Sequence, residues 1–100
     1  MAVYTVGIWI AKPGREDEFA DSWREMAEWT TQAVSSAASG TLLRDRERTN
    51  RFVSFGPWAS LAAIDEWRAH PGFADRVGRM RDLLEEFSPL TLDDVTTAGR

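Results

Sequence analysis

The sequence contains no cysteine and a single histidine, His70, within its 100 residues. The lack of cysteine excludes a disulfide framework, a thiolate nucleophile, and zinc or iron–sulfur sites with cysteine ligands. One histidine also excludes metal sites built on two or three histidines. Positive charge is short as well: 12 Lys and Arg against 16 Asp and Glu give a net charge of −4. Because phosphate backbones require clustered positive charge, we expect no nucleic-acid partner.

Long apolar runs are missing too. No run approaches the roughly 18 residues of a membrane helix, and the opening MAVYTVGIWI lacks the basic start of a secretory signal. We therefore expect a cytoplasmic protein with no membrane partner. The length, with 43% hydrophobic and 28% charged residues, is typical of one globular domain over residues 1–100.

Tryptophan, in contrast, is abundant. The five tryptophans are Trp9, Trp23, Trp29, Trp58 and Trp67. Rings of this size either fill a small core or form the walls of a pocket for a flat ligand. The composition leaves both interpretations open.

The hydrophobic periodicity predicts the order β-α-β-β-α-β, with the second helical region broken at Pro71-Gly72. In the hairpin, Asn50 is expected to take the positive φ of a tight turn. The predicted elements are a strand over 3–11, a helix from 15 to about 38, strands over 41–48 and 51–57, a short helix from 61 to near 70, a helix over 73–87, and a strand over 90–97.

This order predicts an α+β, ferredoxin-like fold: a four-stranded antiparallel sheet with helices on one face. The first strand is apolar on both faces, with Tyr4 and Trp9 on opposite sides. A chain of this length cannot cover both faces of its sheet. We therefore expect a homodimer that closes sheet on sheet, with one of these two rings in a pocket and the other at the interface.

The stretch RFVSFGPWASLAAIDEWRAHPGF carries a Trp58-x-Ser60 element between a strand and a short helix. This stretch, the opening strand and the long first helix resemble the antibiotic biosynthesis monooxygenase (ABM) domains. The resemblance implies ferredoxin-like units paired in a dimeric α+β barrel, each with a pocket between sheet and helices. It also implies one of two reactions: oxidation of anthrone-like polyketides to quinones without metal or cofactor, or oxidative opening of haem.

Haem opening is disfavoured by the residues at the matching positions. Relatives with that activity have a tryptophan where this sequence has Trp67. Their first-strand asparagine falls near Gly7, and their iron-binding histidine falls at Val77. Valine cannot ligate iron, and His70 lies seven residues earlier.

The quinone-forming relatives imply a different set of residues. Their tryptophan is kept as Trp58, and their asparagine four residues earlier is Ser54, which can still donate one hydrogen bond. Their tyrosine falls at Ile64, and their arginine falls at Arg76 or Arg79. The resemblance thus implies Trp58, Ser54 and Arg76 as catalytic residues, with Ile64 in the substrate pocket.

Four further residues are candidates for substrate binding, each with a structural alternative. Trp9 and Trp67 form pocket walls or fill the core. Arg68 binds an oxyanion, or else extends to solvent or pairs with an acid. His70 acts as a base, or else sits at a helix end where the dipole favours its charge.

The function that we expect is cofactor-independent oxidation of a small aromatic or polyketide-like substrate by O2. Two alternatives remain open. One is a non-catalytic module that binds a hydrophobic small molecule. The other is a non-oxidative isomerase or lactone-forming enzyme on the same fold, with His70 as the base.

Overall fold

The computed structural model describes residues 2–34, 37 and 39–99. Its strands form one antiparallel sheet in the order β2-β3-β1-β4, which confirms the predicted α+β, ferredoxin-like fold. Within the described residues, no helix combines the length and the apolar character needed to cross a membrane. The elements are β1 (Val3–Ala11), α1 (Glu16–Ala33), β2 (Thr41–Arg44), β3 (Arg51–Trp58), α2 (Leu61–Ala69), α3 (Pro71–Arg81) and β4 (Leu84–Asp93).

The register of the sheet divides its residues into two faces. Trp9 on β1 lies between Phe52 and Phe87, and the next position on the same face, Gly7, lies between Ser54 and Pro89. Trp9 and Phe52 are buried in the core cluster, together with residues of α1 and α3. This face therefore packs against the helices and holds the main core.

The helix α1 starts and ends where local backbone geometry dictates. Pro13 and Gly14 occupy the two central positions of a turn that the Arg15 N–H closes onto the Lys12 carbonyl at 2.9 Å, and Gly14 has φ 86°. A positive φ after proline is the pattern of a type II turn. The helix ends at Ala33 because Val34 is already extended. The prediction of helix to about residue 38 was too long, and Ser35, Ser36 and Ala38 lie outside the described residues.

The hairpin corrects two predictions. Strand β2 ends at Arg44 instead of residue 48, because the Asp45 carboxylate accepts hydrogen bonds from the N–H groups of Glu47 (2.8 Å) and Arg48 (3.1 Å) and turns the chain. Asn50 does not have a positive φ. It instead joins the hairpin to β1, since its side chain donates to the Ala11 carbonyl at 3.0 Å.

Two further predictions, for the last helix and the last strand, also differ from the structure. The predicted bounds of the helix over 73–87 and the strand over 90–97 were wrong: α3 runs over Pro71–Arg81, and β4 runs over Leu84–Asp93. Leu84 and Phe87 match a helical spacing, but pairing with Ala11 and Trp9 of β1 draws them into the sheet, with an irregularity between Ile10 and Ala11. Pro89 fits because β4 is an edge strand, where a missing N–H costs no ladder bond.

Candidate active site

A cavity of about 120 Å³ lies between the helix-facing side of the sheet and the three helices. Its walls are mostly apolar and aromatic, as in pockets that bind small organic molecules. The large side chains that line it from the helix-facing side of the sheet and from the helices are Trp9, Trp23, Trp58, Trp67, Phe73, Phe87, Met26, Met80 and Val77.

Trp9 forms one wall through a close fit with its own strand. Its ring stacks on Phe87, with ring centroids 3.9 Å apart, and its indole Nε1–H donates to Ser54 Oγ at 2.9 Å. A Cβ on Gly7 would lie 2.6 Å from that indole nitrogen and 2.9 Å from Ser54 Oγ. Glycine at position 7 is therefore what allows the indole to fold over the strand.

Trp58 lies at the end of β3, where the strand turns into α2. Its indole Nε1–H donates to Thr5 Oγ1 on β1 at 2.9 Å, and its ring centroid is 5.0 Å from that of Trp67. The helix that follows begins at once, because Ser60 Oγ accepts a hydrogen bond from the Ala63 N–H. This cap fixes the direction of α2 and with it the position of Trp67.

Trp67 projects from α2 toward α1. Its indole Nε1–H donates to Thr30 Oγ1 at 2.9 Å, and Thr30 in turn donates to the Met26 carbonyl at 2.7 Å. Phe73 at the start of α3 packs edge-on against the Trp67 ring, with centroids 4.7 Å apart. One residue thus joins all three helices at the cavity wall.

Charge enters the cavity wall at one place. Of the described residues that line the cavity, Arg68 alone carries a charge. Arg68 is exposed on α2, and its Nη2 donates to Thr91 Oγ1 on β4 at 3.1 Å. The arrangement is an aromatic cavity with hydroxyl groups inside and a guanidinium at its solvent-exposed edge.

Comparison with known proteins assigns this architecture to a family. The sequence profile described as antibiotic biosynthesis monooxygenase matches residues 2–79, which is most of the chain. The chain belongs to the ABM family. This confirms the resemblance drawn from the Trp58-x-Ser60 stretch.

Solved structures agree on the fold of this ABM protein. SnoaB, a cofactor-independent oxygenase from Streptomyces nogalater, superposes with a TM-score of 0.89 at 22% identity over 99% of this chain and 98% of its own. Rv0793 from Mycobacterium tuberculosis superposes at 0.82, with 19% identity over 99% and 100%. A putative antibiotic biosynthesis monooxygenase from Bordetella bronchiseptica gives 0.82, with 15% identity over 95% and 98%. No curated protein is significantly similar in sequence.

Several side chains that the ABM resemblance implied lie away from this cavity. The Arg76 guanidinium lies 4.4 Å from the Trp29 ring centroid, and Arg79 pairs with Asp75. Ile64 is 1% exposed and packs in a second cluster around Val34. None of Arg76, Arg79 and Ile64 lines the cavity.

His70 also lies outside the cavity lining and has a structural role. It links α2 to α3, and its Nδ1 accepts a hydrogen bond from the Gly72 N–H at 3.0 Å, which caps the first turn of α3. Its ring packs edge-on against Trp29, with centroids 5.0 Å apart. The sequence indicates that His70 lies at the end of α2, but not that it caps the helix that follows.

Five of the predicted residues do line the cavity: Trp9, Ser54, Trp58, Trp67 and Arg68. The residues that sequence reasoning missed are the two threonines, Thr5 and Thr30, that hold the indoles. Signals for both were present. Thr5 shares a strand face with Trp9, and Thr30 is a polar residue on the otherwise apolar stripe of α1.

Proposed function

We propose that this ABM protein is a cofactor-independent monooxygenase that converts a small phenol or anthrone into a quinone. In the overall reaction, a ring carbon para to the oxygen gains one atom of O2 as a carbonyl, and the second oxygen atom leaves as water with two substrate hydrogens. The observation that carries the proposal is the aromatic cavity with its internal hydroxyls and one guanidinium.

The chemistry requires little of the protein. A deprotonated phenol or anthrone passes one electron to O2, which gives a carbon-centred radical and superoxide. Their combination forms a peroxide at the ring carbon, and loss of water yields the carbonyl. The protein must hold the flat ring, stabilise the oxyanion with hydrogen-bond donors, and exclude bulk water.

The cavity supplies a group for each requirement. Trp9, Trp58 and Trp67 form the aromatic walls, and Ser54 offers a hydroxyl inside them. Arg68 provides the positive charge for the oxyanion at the exposed edge, in place of Arg76, which the ABM resemblance implied as a catalytic residue. The stacking of Arg76 on Trp29 favours this reassignment.

Oxygen uptake tests the proposal. Purified, metal-stripped protein is given an anthrone, and uptake is measured beside Trp58→Phe and a control, Trp29→Phe, whose ring lies outside the cavity lining. We expect uptake above the spontaneous rate with quinone as the product, a several-fold lower rate in Trp58→Phe, and little change in Trp29→Phe.

Two results would contradict the proposal. Binding of the anthrone without uptake above the spontaneous rate would indicate a hydrophobic binding module. Product formation without oxygen, lost in His70→Ala, would indicate the isomerase or lactone-forming alternative. The position of His70 outside the cavity lining gives that alternative no support.

Haem opening also lacks support. The first-strand position that relatives fill with asparagine falls near Gly7, where a Cβ would collide with the Trp9 indole at 2.6 Å. The position of the iron-binding histidine is Val77, a buried aliphatic side chain on the cavity wall. Neither position offers a polar side chain to haem.

We also propose that two copies pair through the open face of the sheet. This face carries large apolar side chains that are substantially exposed in one copy, which costs free energy until a partner covers them. They are Leu43 (50% exposed), Phe55 (38%), Leu90 (43%) and Leu92 (46%), all on the side opposite Trp9.

Light scattering at micromolar concentration tests the pairing. We expect twice the 11.3 kDa of one chain for the wild type and a shift toward monomer in Leu92→Lys. The control Leu61→Lys changes a leucine on α2 that is 56% exposed, and should leave the mass unchanged. A wild-type mass of one chain would overturn the dimer.

A further inference from the structure

Four tryptophans line the cavity, and three of them donate their indole N–H to a hydroxyl oxygen of this chain. Trp9 donates to Ser54, Trp58 to Thr5 and Trp67 to Thr30, each at 2.9 Å. An indole N–H has no second hydrogen to offer. A ligand that enters the cavity therefore meets the faces and edges of these rings, not their donors.

The three hydroxyls differ in whether their own hydrogen is already donated within the protein. Thr30 Oγ1 accepts from Trp67 and already donates its hydrogen to the Met26 carbonyl at 2.7 Å. Ser54 and Thr5 accept from their indoles but, in the part of the chain that the structure describes, donate to no protein acceptor. Their hydroxyl hydrogens remain available to a ligand, and both residues line the cavity.

The sheet register brings these two hydroxyls together. Thr5 on β1 lies opposite Gly56 on β3, and Ser54 is two residues earlier on β3, so the two side chains are diagonal neighbours on one face. Diagonal neighbours in an antiparallel pair have Cβ atoms up to about 7–8 Å apart. Thr5 and Ser54 thus present their hydroxyls to the same part of the cavity.

Their indole partners make both hydroxyls better donors. A hydroxyl whose oxygen accepts a hydrogen bond is polarised, and its own O–H bond donates more strongly. The indoles also fix each oxygen in place, so less rotational freedom is lost when a ligand binds. Trp9 and Trp58 thus polarise the two donor hydroxyls and hold their oxygens in place.

We propose that Thr5 and Ser54 form a donor pair that binds the carbonyl or phenolate oxygen of a flat aromatic ligand, with Trp9 and Trp58 as positioning residues behind them. This inference rests on the proposed function and deepens it, because it states where the substrate oxygen binds. A pair of donors selects a ligand with an oxygen acceptor at the ring and stabilises its anionic form. Arg68, the charged residue at the edge of the cavity, adds to that stabilisation from outside.

A chromophoric phenol tests the pair without any turnover. 4-Nitrophenol is a single ring whose phenolate absorbs in the visible, so its pKa when bound to the intact protein can be measured by titration. The variants are Thr5→Val and Ser54→Ala, which each remove one hydroxyl, and Thr5→Ser, which keeps it. Thr41→Val and Ser88→Ala are the matched controls, since both residues lie on the open face of the sheet.

We expect the wild type to lower the pKa of the bound phenol, and each hydroxyl removal to weaken phenolate binding roughly tenfold or more, the cost of one hydrogen bond to a charged group. Thr5→Ser should restore most of the shift. Trp58→Phe should lose part of it although Thr5 is intact, which a purely structural role for the indole would not cause. The two controls should match the wild type.

Two outcomes would overturn the inference, and they differ in what else they affect. If 4-nitrophenol binds with a lowered pKa that Thr5→Val and Ser54→Ala leave unchanged, the donor pair is wrong while the proposed function stands. If the wild type does not bind 4-nitrophenol at all, the inference fails together with the aromatic pocket on which the proposed function depends.

Discussion

At the scale of single residues, the cavity depends on a glycine that has no room for a side chain. A Cβ at position 7 would lie 2.6 Å from the Trp9 indole nitrogen, so Gly7→Ala must displace the ring and break its bond to Ser54. We expect Gly7→Ala to lower the free energy of unfolding by about 1–3 kcal/mol, as overpacking does. Urea denaturation measures the change.

A second glycine provides the control for that measurement. Gly78 lies on the exposed side of α3, and a Cβ there would meet no atom of the described residues within 4 Å. Gly78→Ala should stabilise the helix by about 0.5–1 kcal/mol, because alanine loses less backbone entropy. If Gly7→Ala and Gly78→Ala change the free energy of unfolding in the same way, the close contact with Trp9 does not exclude a side chain at position 7.

Thr30 offers a second comparison at this scale. Thr30→Val leaves the Trp67 indole N–H without its acceptor, which we expect to cost about 1–3 kcal/mol of stability. Its neighbour Thr31 also donates to a backbone carbonyl, that of Glu28, but is exposed, so Thr31→Val should change stability by no more than about 0.5 kcal/mol. Equal losses of stability for Thr30→Val and Thr31→Val in thermal unfolding would show that the hydrogen bond from the Trp67 indole to Thr30 does not stabilise the fold.

Residue types revealed part of the site in advance. Trp9, Trp58 and Trp67 were candidates because large rings in a small domain either fill the core or form the walls of a pocket. All three line the cavity. Arg76 was a candidate because the ABM resemblance implied it. That resemblance could not indicate that Gly72 leaves room for Trp29, on which Arg76 stacks. Such partners depend on packing between elements that are distant in sequence.

At the scale of elements, the hairpin loop between β2 and β3 is held by one carboxylate. Backbone N–H groups of Arg48 and Glu47, with the Arg51 guanidinium, lower the pKa of Asp45 from 3.8 to about 2. Its contribution to stability is therefore complete above about pH 4 and is lost as the pH falls toward about 2. We expect the unfolding midpoint of the wild type to fall over this range.

Substitution isolates that contribution. Asp45→Ala should be less stable than the wild type at neutral pH, and the difference should shrink as the pH falls from about 4 to about 2. Asp65→Ala, which removes an exposed carboxylate from α2, controls for the change in net charge. A difference for Asp45→Ala that stays constant with pH would show that the loop does not depend on the ionised carboxylate.

Among the elements, some follow from the local sequence pattern and one does not. Strand β1 follows from its run of β-branched and aromatic residues, and the buried stripe of α1 follows from 3.6-residue spacing. Leu84 and Phe87 fit the helical stripe of α3 equally well, yet they belong to β4 because β1 offers a pairing edge. A local pattern cannot include the free energy of a strand that pairs across the whole chain.

At the scale of the whole molecule, the size of the cavity limits what it can enclose. Its volume of about 120 Å³ is slightly below the roughly 150 Å³ of an apolar cavity that holds benzene. A volume of this size suits one aromatic ring, and we expect further rings of a larger substrate to extend toward solvent. Burial in the cavity, and with it exclusion of water, is most complete for a single ring.

This limit predicts the order of substrates. We expect the ratio of catalysed to spontaneous oxidation to be higher for 3,5-dimethoxyphenol, a single ring with a free para carbon, than for a tricyclic anthrone. Val77→Ala, which shortens a side chain on the cavity wall, should raise the anthrone ratio, whereas Val53→Ala on the open face of the sheet should not. A higher ratio for anthrone in the wild type would mean that the cavity widens when a ligand binds, since a three-ring substrate could not otherwise be shielded from water.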